Sequence, residues 1–232
     1  GLAVGFVGGS LAGATGTGFL GALLAGFVGG YAVNFLKKVF AGLPASLDGI
    51  KPILLYPFFG ILIMGAISLF IIAPPVSAIN SWMISTLGSM DPSARIFMGI
   101  IVGGMMAVDM GGPINKAAYV TGTGLLASGE YHVMAAVMAG GMVPPLAIAL
   151  ATTLFKNRFT ESQRKAGITN YVMGLSFITE GAIPFAAADP VRVIPSMVVG
   201  SALAGALTMV FDCTLRAPHG GIFVVPTIGN PL

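Results

Sequence analysis

The residues in this chain that could do chemistry are ionisable side chains set inside long apolar stretches. A charge in hydrocarbon costs several kcal/mol unless it is paired, hydrated or functional. Four places qualify. In VDMGGPINKAAY, Asp109, Asn115 and Lys116 surround Gly111, Gly112 and Pro113. A Gly-Gly-Pro turn ends one helix and starts another, exposing backbone groups that only protein or a watery cavity can satisfy. The same residues also allow an Asp109 to Lys116 ion pair stapling a helical hairpin. In SFITEGAIPFAAADP, Glu180 lies in an apolar context just before Gly181 and Pro184. A carboxylate at a break between helices is how transporters present a polar group at mid-membrane; a structural pair with Lys116 or Arg192 is the alternative. In APHGG, His219 stands between Pro218 and two glycines. Its imidazole could donate to or accept from a sugar hydroxyl, or simply pack. The fourth place, Asp189 and Pro190 with Arg192, reads as a helix cap and an interfacial charge.

Other chemistries lack their residues. There is no GxxxxGK[ST] loop, no HExxH and no nucleophile elbow, and the GxG occurrences look like helix-packing glycines. His132 and Cys213 show no metal-ligand partners nearby, and a single cysteine excludes a disulfide framework. Neither a metal nor a cofactor is expected. The thirteen methionines scatter along the apolar runs as packing filler.

The elements that must position these residues are membrane spans. In 232 residues, 56% are hydrophobic and 8% charged, with a mean hydropathy of +0.94. That composition is far from the soluble range and describes an integral membrane protein. The net charge of +3 falls in short clusters, so it signals no nucleic-acid partner. Residues 1–18 are too glycine-rich for a confident span, whereas Phe19 to Leu36 reads as a helix closed by Lys37 and Lys38. Pro52 to Ile72 is the clearest span, with a break predicted at Pro74 and Pro75. Val76 to Met90 sets Val76, Ile79, Trp82, Met83 and Leu87 against Ser77, Asn80, Ser81 and Ser85, as in an interfacial amphipathic helix. Ile96 to Val108 runs into Asp109, and Val133 to Phe155 is predicted to be interrupted at Pro144 and Pro145. Val193 to Phe211 is a further apolar run. The charge-dense segment from Lys156 to Lys165 goes to the cytoplasmic side by the positive-inside rule.

The fold class expected is therefore an all-α integral membrane protein, a multi-span helical bundle with broken helices, re-entrant hairpins and an interfacial helix. Residues 1–90 would supply N-terminal spans and the amphipathic helix, and residues 91–232 the substrate-binding spans and hairpins. The opening on Gly1, without Met or a basic leader, suggests a fragment.

DMGGPINKAAY, MAAVMAGGMVPPLAIALAT, FITEGAIPFAAADP and APHGG, in this order, resemble the membrane domain (enzyme IIC) of the fructose family of the bacterial phosphoenolpyruvate-dependent sugar phosphotransferase system. The upstream GFLGALLAGFVGGY and LPASLDGIKPILLYP extend the likeness over essentially the whole chain. The resemblance implies a homodimeric plasma-membrane permease, surrounded by lipid, that takes up fructose and lets it be phosphorylated on entry. The phosphoryl group would come from a cysteine of a separate IIB domain, fed by IIA and the general phosphocarrier protein. Cys213 does not fill that role. ITEG is similar to the Gly-Ile-Thr-Glu-Pro motif of related IIC domains, whose Glu binds the sugar; here Gly181 stands where the motif has Pro. The implied substrate-binding residues are Asp109, Asn115, Lys116, Glu180 and His219, with Glu180 or His219 taking the hydroxyl proton. Family domains carry further spans before and after the region present here, so the resemblance marks a partial permease domain. Mannitol and mannosylglycerate permeases share this chemistry. A proton-coupled secondary transporter using Asp109 or Glu180 is the alternative of a different class.

Overall fold

The computed structural model describes residues 2–230, which fall into two compact units that divide between Ser85 and Thr86. Among the described residues, four helical stretches are long and apolar enough to cross a membrane: Leu20–Gly42, Lys51–Ser89, His132–Leu154 and Pro190–Val210. Large apolar side chains such as Phe27, Phe58, Phe70, Leu150 and Val199 point outward from these helices, as a lipid-facing surface requires. The protein is a helical, multi-pass membrane protein.

In the first unit, α1 (Leu2–Ala14) and α2 (Gly18–Val39) form a hairpin packed on α3 (Tyr56–Ile67). The glycine-rich opening is helical because its small residues admit neighbours: Gly8 faces Ala25 and Met64, and Val4 fills the notch at Gly60. Close packing outweighs the low helix propensity. The turn between α1 and α2 is polar and satisfied. Thr17 Oγ1 donates to Ala12 O at 3.0 Å, and Asn80 Nδ2 donates to Gly16 O at 3.1 Å.

The break predicted at Pro74 and Pro75 does not occur. A π-helical turn at Ser68–Ile72 leads directly into α4 (Ala73–Ser89), so the chain stays helical through both prolines. The helix expected to lie in the interface is thus the continuation of a 39-residue helical stretch. Its sides are also reversed at one point: Asn80 is buried, while Ile79 and Trp82 are exposed.

The second unit is built around α7 (His132–Leu154), which packs on α5 (Pro92–Val108), α6 (Pro113–Leu126), α8 (Glu161–Leu175) and α10 (Pro190–Val210). Asp91 caps α5 by accepting from Ala94 N at 2.8 Å, and Thr160 with Gln163 forms a capping box on α8. After α8 the chain leaves helix, makes a 3₁₀ turn at Thr179–Ala182, forms the short α9 (Ile183–Ala188), and restarts at Asp189 as α10. Asp189 caps α10 and pairs with Arg192 at 3.2 Å, as expected. One small departure from all-helical structure follows: β1 (Thr214–Leu215) pairs antiparallel with β2 (Ile228–Gly229).

The interruption predicted in α7 is also absent, for a reason that lies outside that helix. Pro144 and Pro145 cannot donate to the carbonyls of Gly140 and Gly141 four residues earlier. Ser201 Oγ donates to Gly140 O at 2.8 Å, and Thr179 Oγ1 donates to Gly141 O at 3.0 Å. Both hydroxyls are buried, so the two freed acceptors are filled without water and the helix runs through. Glycines make the approach possible. A Cβ on Gly140 would stand 2.7 Å from Gly103 Cα, and one on Gly205 would collide with Gly99 O.

This seam of small residues between α5, α7 and α10 yields a stability prediction. Gly205→Leu should cost about 3 kcal/mol or more through overpacking, read as early loss of monodisperse protein on heating in mild detergent. Gly26→Leu, where an added side chain meets open space, serves as the control. Equal thermal stability of the two variants would contradict the packing account.

Candidate functional site

The link between α5 and α6 is Asp109, Met110, Gly111 and Gly112, with left-handed backbone at Met110 (φ 48°) and Gly111 (φ 119°). Asp109 folds back over this link. Its carboxylate accepts from Ile114 N at 2.7 Å and Asn115 N at 2.9 Å, filling the orphan donors at the start of α6. The ion pair between Asp109 and Lys116 envisaged from the sequence is not formed. Asn115 is also committed to the fold: its side chain is buried, and Nδ2 donates to Met106 O at 2.7 Å.

Lys116 reaches instead toward Glu180, with Nζ 3.5 Å from Oε1. Both side chains are about half exposed, so the pair is worth under about 1 kcal/mol and leaves both groups open to a ligand. Gly111 forms the wall behind the carboxylate. A Cβ there would stand 2.7 Å from Glu180 Oε1, and φ 119° would strain any side chain. Gly181, next to Glu180, has no room for a Cβ against the Asn170 side chain of α8.

His219 comes from the segment after α10. Gly221, at φ 58°, lets this segment lie directly on the backbone at the end of α8: a Cβ would collide with Leu175 O and stand 2.9 Å from Phe177 N. The His219 ring packs edge-on against Phe177, centroids 5.1 Å apart, and against Tyr119 at 6.3 Å. Phe177 itself holds a left-handed φ of 62°, rare for an aromatic residue and of the kind that surrounding structure must over-determine.

These pieces enclose a cavity of about 220 Å³ whose lining includes Asn115, Lys116, Tyr119, Phe177, Glu180 and His219. Drug-sized ligand pockets run to roughly 300–1,000 Å³, so this one suits a smaller polar molecule. Four of the five residues singled out from the sequence thus share one cavity, although they come from three separated segments. Asp109 is outside the lining and shapes it through α6. Tyr119 and Phe177 carry no charge to reveal them in a sequence; the one signal was their nearness to Lys116 and Glu180.

The family described as "Phosphotransferase system, EIIC" matches residues 3–200. The chain belongs to that family. The EIIC chain is 56% identical over its whole length to the PTS system fructose-specific EIIABC component of Bacillus subtilis, of which it spans 36%. It is 55% identical, again over its whole length, to the fructose permease IIC component of Bacillus amyloliquefaciens, spanning 76% of that protein. Over 99% of the chain it is 43% identical to the PTS system fructose-specific EIIC component of Haloferax volcanii, of which it covers 61%. No solved structure matches.

Two further features of the EIIC chain bear on the site. His132, which the sequence left without partners, lies between two carboxylates: Nδ1 is 2.6 Å from Glu130 Oε1 and Nε2 is 3.0 Å from Asp212 Oδ1. Together with Leu215 N donating to Tyr131 O at 3.1 Å, this ties the segment leading to His219 to the start of α7. Cys213 borders a second cavity of about 340 Å³, walled by apolar residues such as Met138, Met142, Ile222 and Val225. Burial, and then the neighbouring Asp212 carboxylate, push its thiol above the ordinary range, which disfavours the thiolate. Among the described residues no group of three or more His, Cys, Asp and Glu side chains could hold a metal.

The capping role of Asp109 is testable. Asp109→Ala should lower thermal stability by about 1–2 kcal/mol, with a smaller loss for Asp109→Asn, whose amide oxygen still accepts. Indistinguishable losses for the two variants in parallel melts would contradict it.

Proposed function

We propose that this chain is the sugar-binding part of a fructose permease of the phosphotransferase system, in which fructose is held in the Glu180 cavity and phosphorylated by a IIB domain. The observation that carries this reading is the convergence of Asn115, Lys116, Glu180 and His219 on one small polar cavity in an EIIC chain. The names of the relatives support the sugar and the partner: each of the three is fructose-specific or a fructose permease, and one is an EIIABC component. The chain spans about a third of that last relative, so the complete reaction belongs to a longer protein or assembly.

A sugar stripped of water needs a donor or acceptor for each hydroxyl. Here Lys116 donates, Glu180 accepts, His219 can do either, and the rings of Phe177 and Tyr119 offer apolar faces to the C–H surface of the sugar. The reaction then asks mainly for position. One sugar hydroxyl oxygen bonds to phosphorus as the phosphorus–sulfur bond of the IIB phosphocysteine breaks, and the hydroxyl proton passes to Glu180 or His219. Cys213, with its thiol disfavoured as thiolate, is not the carrier. The basic segment from Lys156 to Lys165 faces the cytoplasm under this reading.

Glu180→Gln tests the assignment. The change keeps shape and one acceptor but removes the charge and the base. Because the Lys116 pair is long and half exposed, folded protein should stay near wild type. Phosphorylation of labelled fructose, in membranes supplied with the phosphorylated IIB domain and the full-length permease, should fall about a hundredfold or more. Near-normal phosphorylation would reject a functional Glu180. Loss of folded protein in proportion to activity, restored by Lys116→Met in the same chain, would assign the residue to structure instead.

A further inference from the structure

The two hydroxyls that fill the freed carbonyls of α7 are not equivalent. Ser201 sits on α10, away from the cavity, and its bond to Gly140 O joins two helices. Thr179 immediately precedes Glu180, lines the cavity, and is 4% exposed. Its bond to Gly141 O crosses from the 3₁₀ turn to the middle of α7. The turn is also seated against α8, through Ile178 N donating to Met173 O at 2.8 Å and Gly181 packed on Asn170, so the Thr179 hydroxyl supplies its polar link to α7. A buried hydroxyl donating to a buried carbonyl that has no helical partner is a strong local constraint, because either group left alone bears its full desolvation cost. Pro145 keeps that acceptor vacant. With an N–H at position 145 the helix would claim Gly141 O for itself, and Thr179 would have to compete for it.

We infer that Thr179 is a positioning residue: its hydroxyl, docked on the Gly141 carbonyl that Pro145 leaves free, sets where Glu180 stands against Gly111 and Lys116 in the sugar cavity. The inference rests on the permease reading above and adds to it a residue that does not itself touch the reacting atoms. Gly111 leaves the carboxylate little latitude, since the glycine already abuts Oε1 and Cγ of Glu180. A turn released from α7 would move the carboxylate away from that wall, and small displacements of a reacting group are costly to rate.

The test uses the full-length permease in membranes with phosphorylated IIB domain, and measures kcat and KM for fructose per folded protein. Thr179→Val keeps the shape and removes the donor, and should lower kcat/KM about ten- to a hundredfold. Thr179→Ser should recover most of it. Ser201→Ala, which removes the twin bond outside the cavity, should reduce thermal stability and leave kcat/KM per folded protein near wild type. In a Pro145→Ala background, where α7 fills Gly141 O itself, the further loss caused by Thr179→Val should shrink. Unchanged kcat/KM in Thr179→Val would overturn the inference. So would equal kcat/KM losses in Thr179→Val and Ser201→Ala, which would make both bonds merely structural. A wild-type protein that fails to phosphorylate fructose would instead count against the permease reading, so the two failures are distinguishable.

Discussion

Two proline nitrogens in the middle of α7 place a demand on everything around them. An α-helix in hydrocarbon must fill every carbonyl, and Pro144 and Pro145 leave those of Gly140 and Gly141 without helical donors. Water is one remedy and a kink is another. This chain brings a serine from α10 and a threonine from the turn after α8 into contact with the two acceptors. Each bond fixes a separate part of the molecule on α7. The glycines at 140 and 141 remove the side chains that would keep these partners away, with Gly103 and the Phe177 ring occupying the space. The helix that carries no ionisable residue of the cavity is thereby the one that locates it.

The electrostatics of the cavity follow from how its charges are shared out. Asp109 is spent on backbone amides at the start of α6, and Asn115 on the Met106 carbonyl, so these two polar groups stiffen the framework. Lys116 and Glu180 are left facing each other at 3.5 Å, close enough to offset one another and exposed enough to exchange partners with a ligand. His219 is placed by ring contacts with Phe177 and Tyr119 and by the clasp of His132 between Glu130 and Asp212. When its ring is protonated, His132 can donate to both carboxylates at once. A polar cavity inside an apolar protein thus separates groups that hold the fold from groups left open toward the cavity.

Much of the site was legible from the sequence, because an ionisable residue beside Gly and Pro in an apolar run has few structural explanations. That rule singled out Lys116, Glu180 and His219, which line one cavity, and the interruptions around Glu180 and before α10 lie where Gly181, Pro184 and Asp189 suggested. The same reasoning misjudged both proline pairs. Pro74 and Pro75 follow a π-helical turn, and the carbonyls freed by Pro144 and Pro145 are filled by hydroxyls 61 and 38 residues away, a distance at which pattern reading has no purchase. Asp109 was read as a substrate-binding residue or as half of an ion pair with Lys116, whereas the nearest unmet demand was the row of N–H groups opening α6. His132 looked solitary because its second carboxylate, Asp212, arrives only when α10 returns to the start of α7. For Pro144, Pro145 and His132 the missing information was a tertiary partner; for Pro74, Pro75 and Asp109 it was the local backbone geometry.

The most direct measurement is an experimental structure of the full-length permease with fructose bound. The account predicts sugar density in the cavity lined by Asn115, Lys116 and His219, with a hydroxyl within hydrogen-bond distance of Glu180. It also predicts a continuous α7 whose Gly140 and Gly141 carbonyls accept from Ser201 and Thr179. Fructose bound elsewhere, with Glu180 and His219 turned away from it, would contradict the account, as would an α7 broken at its prolines with water on those carbonyls.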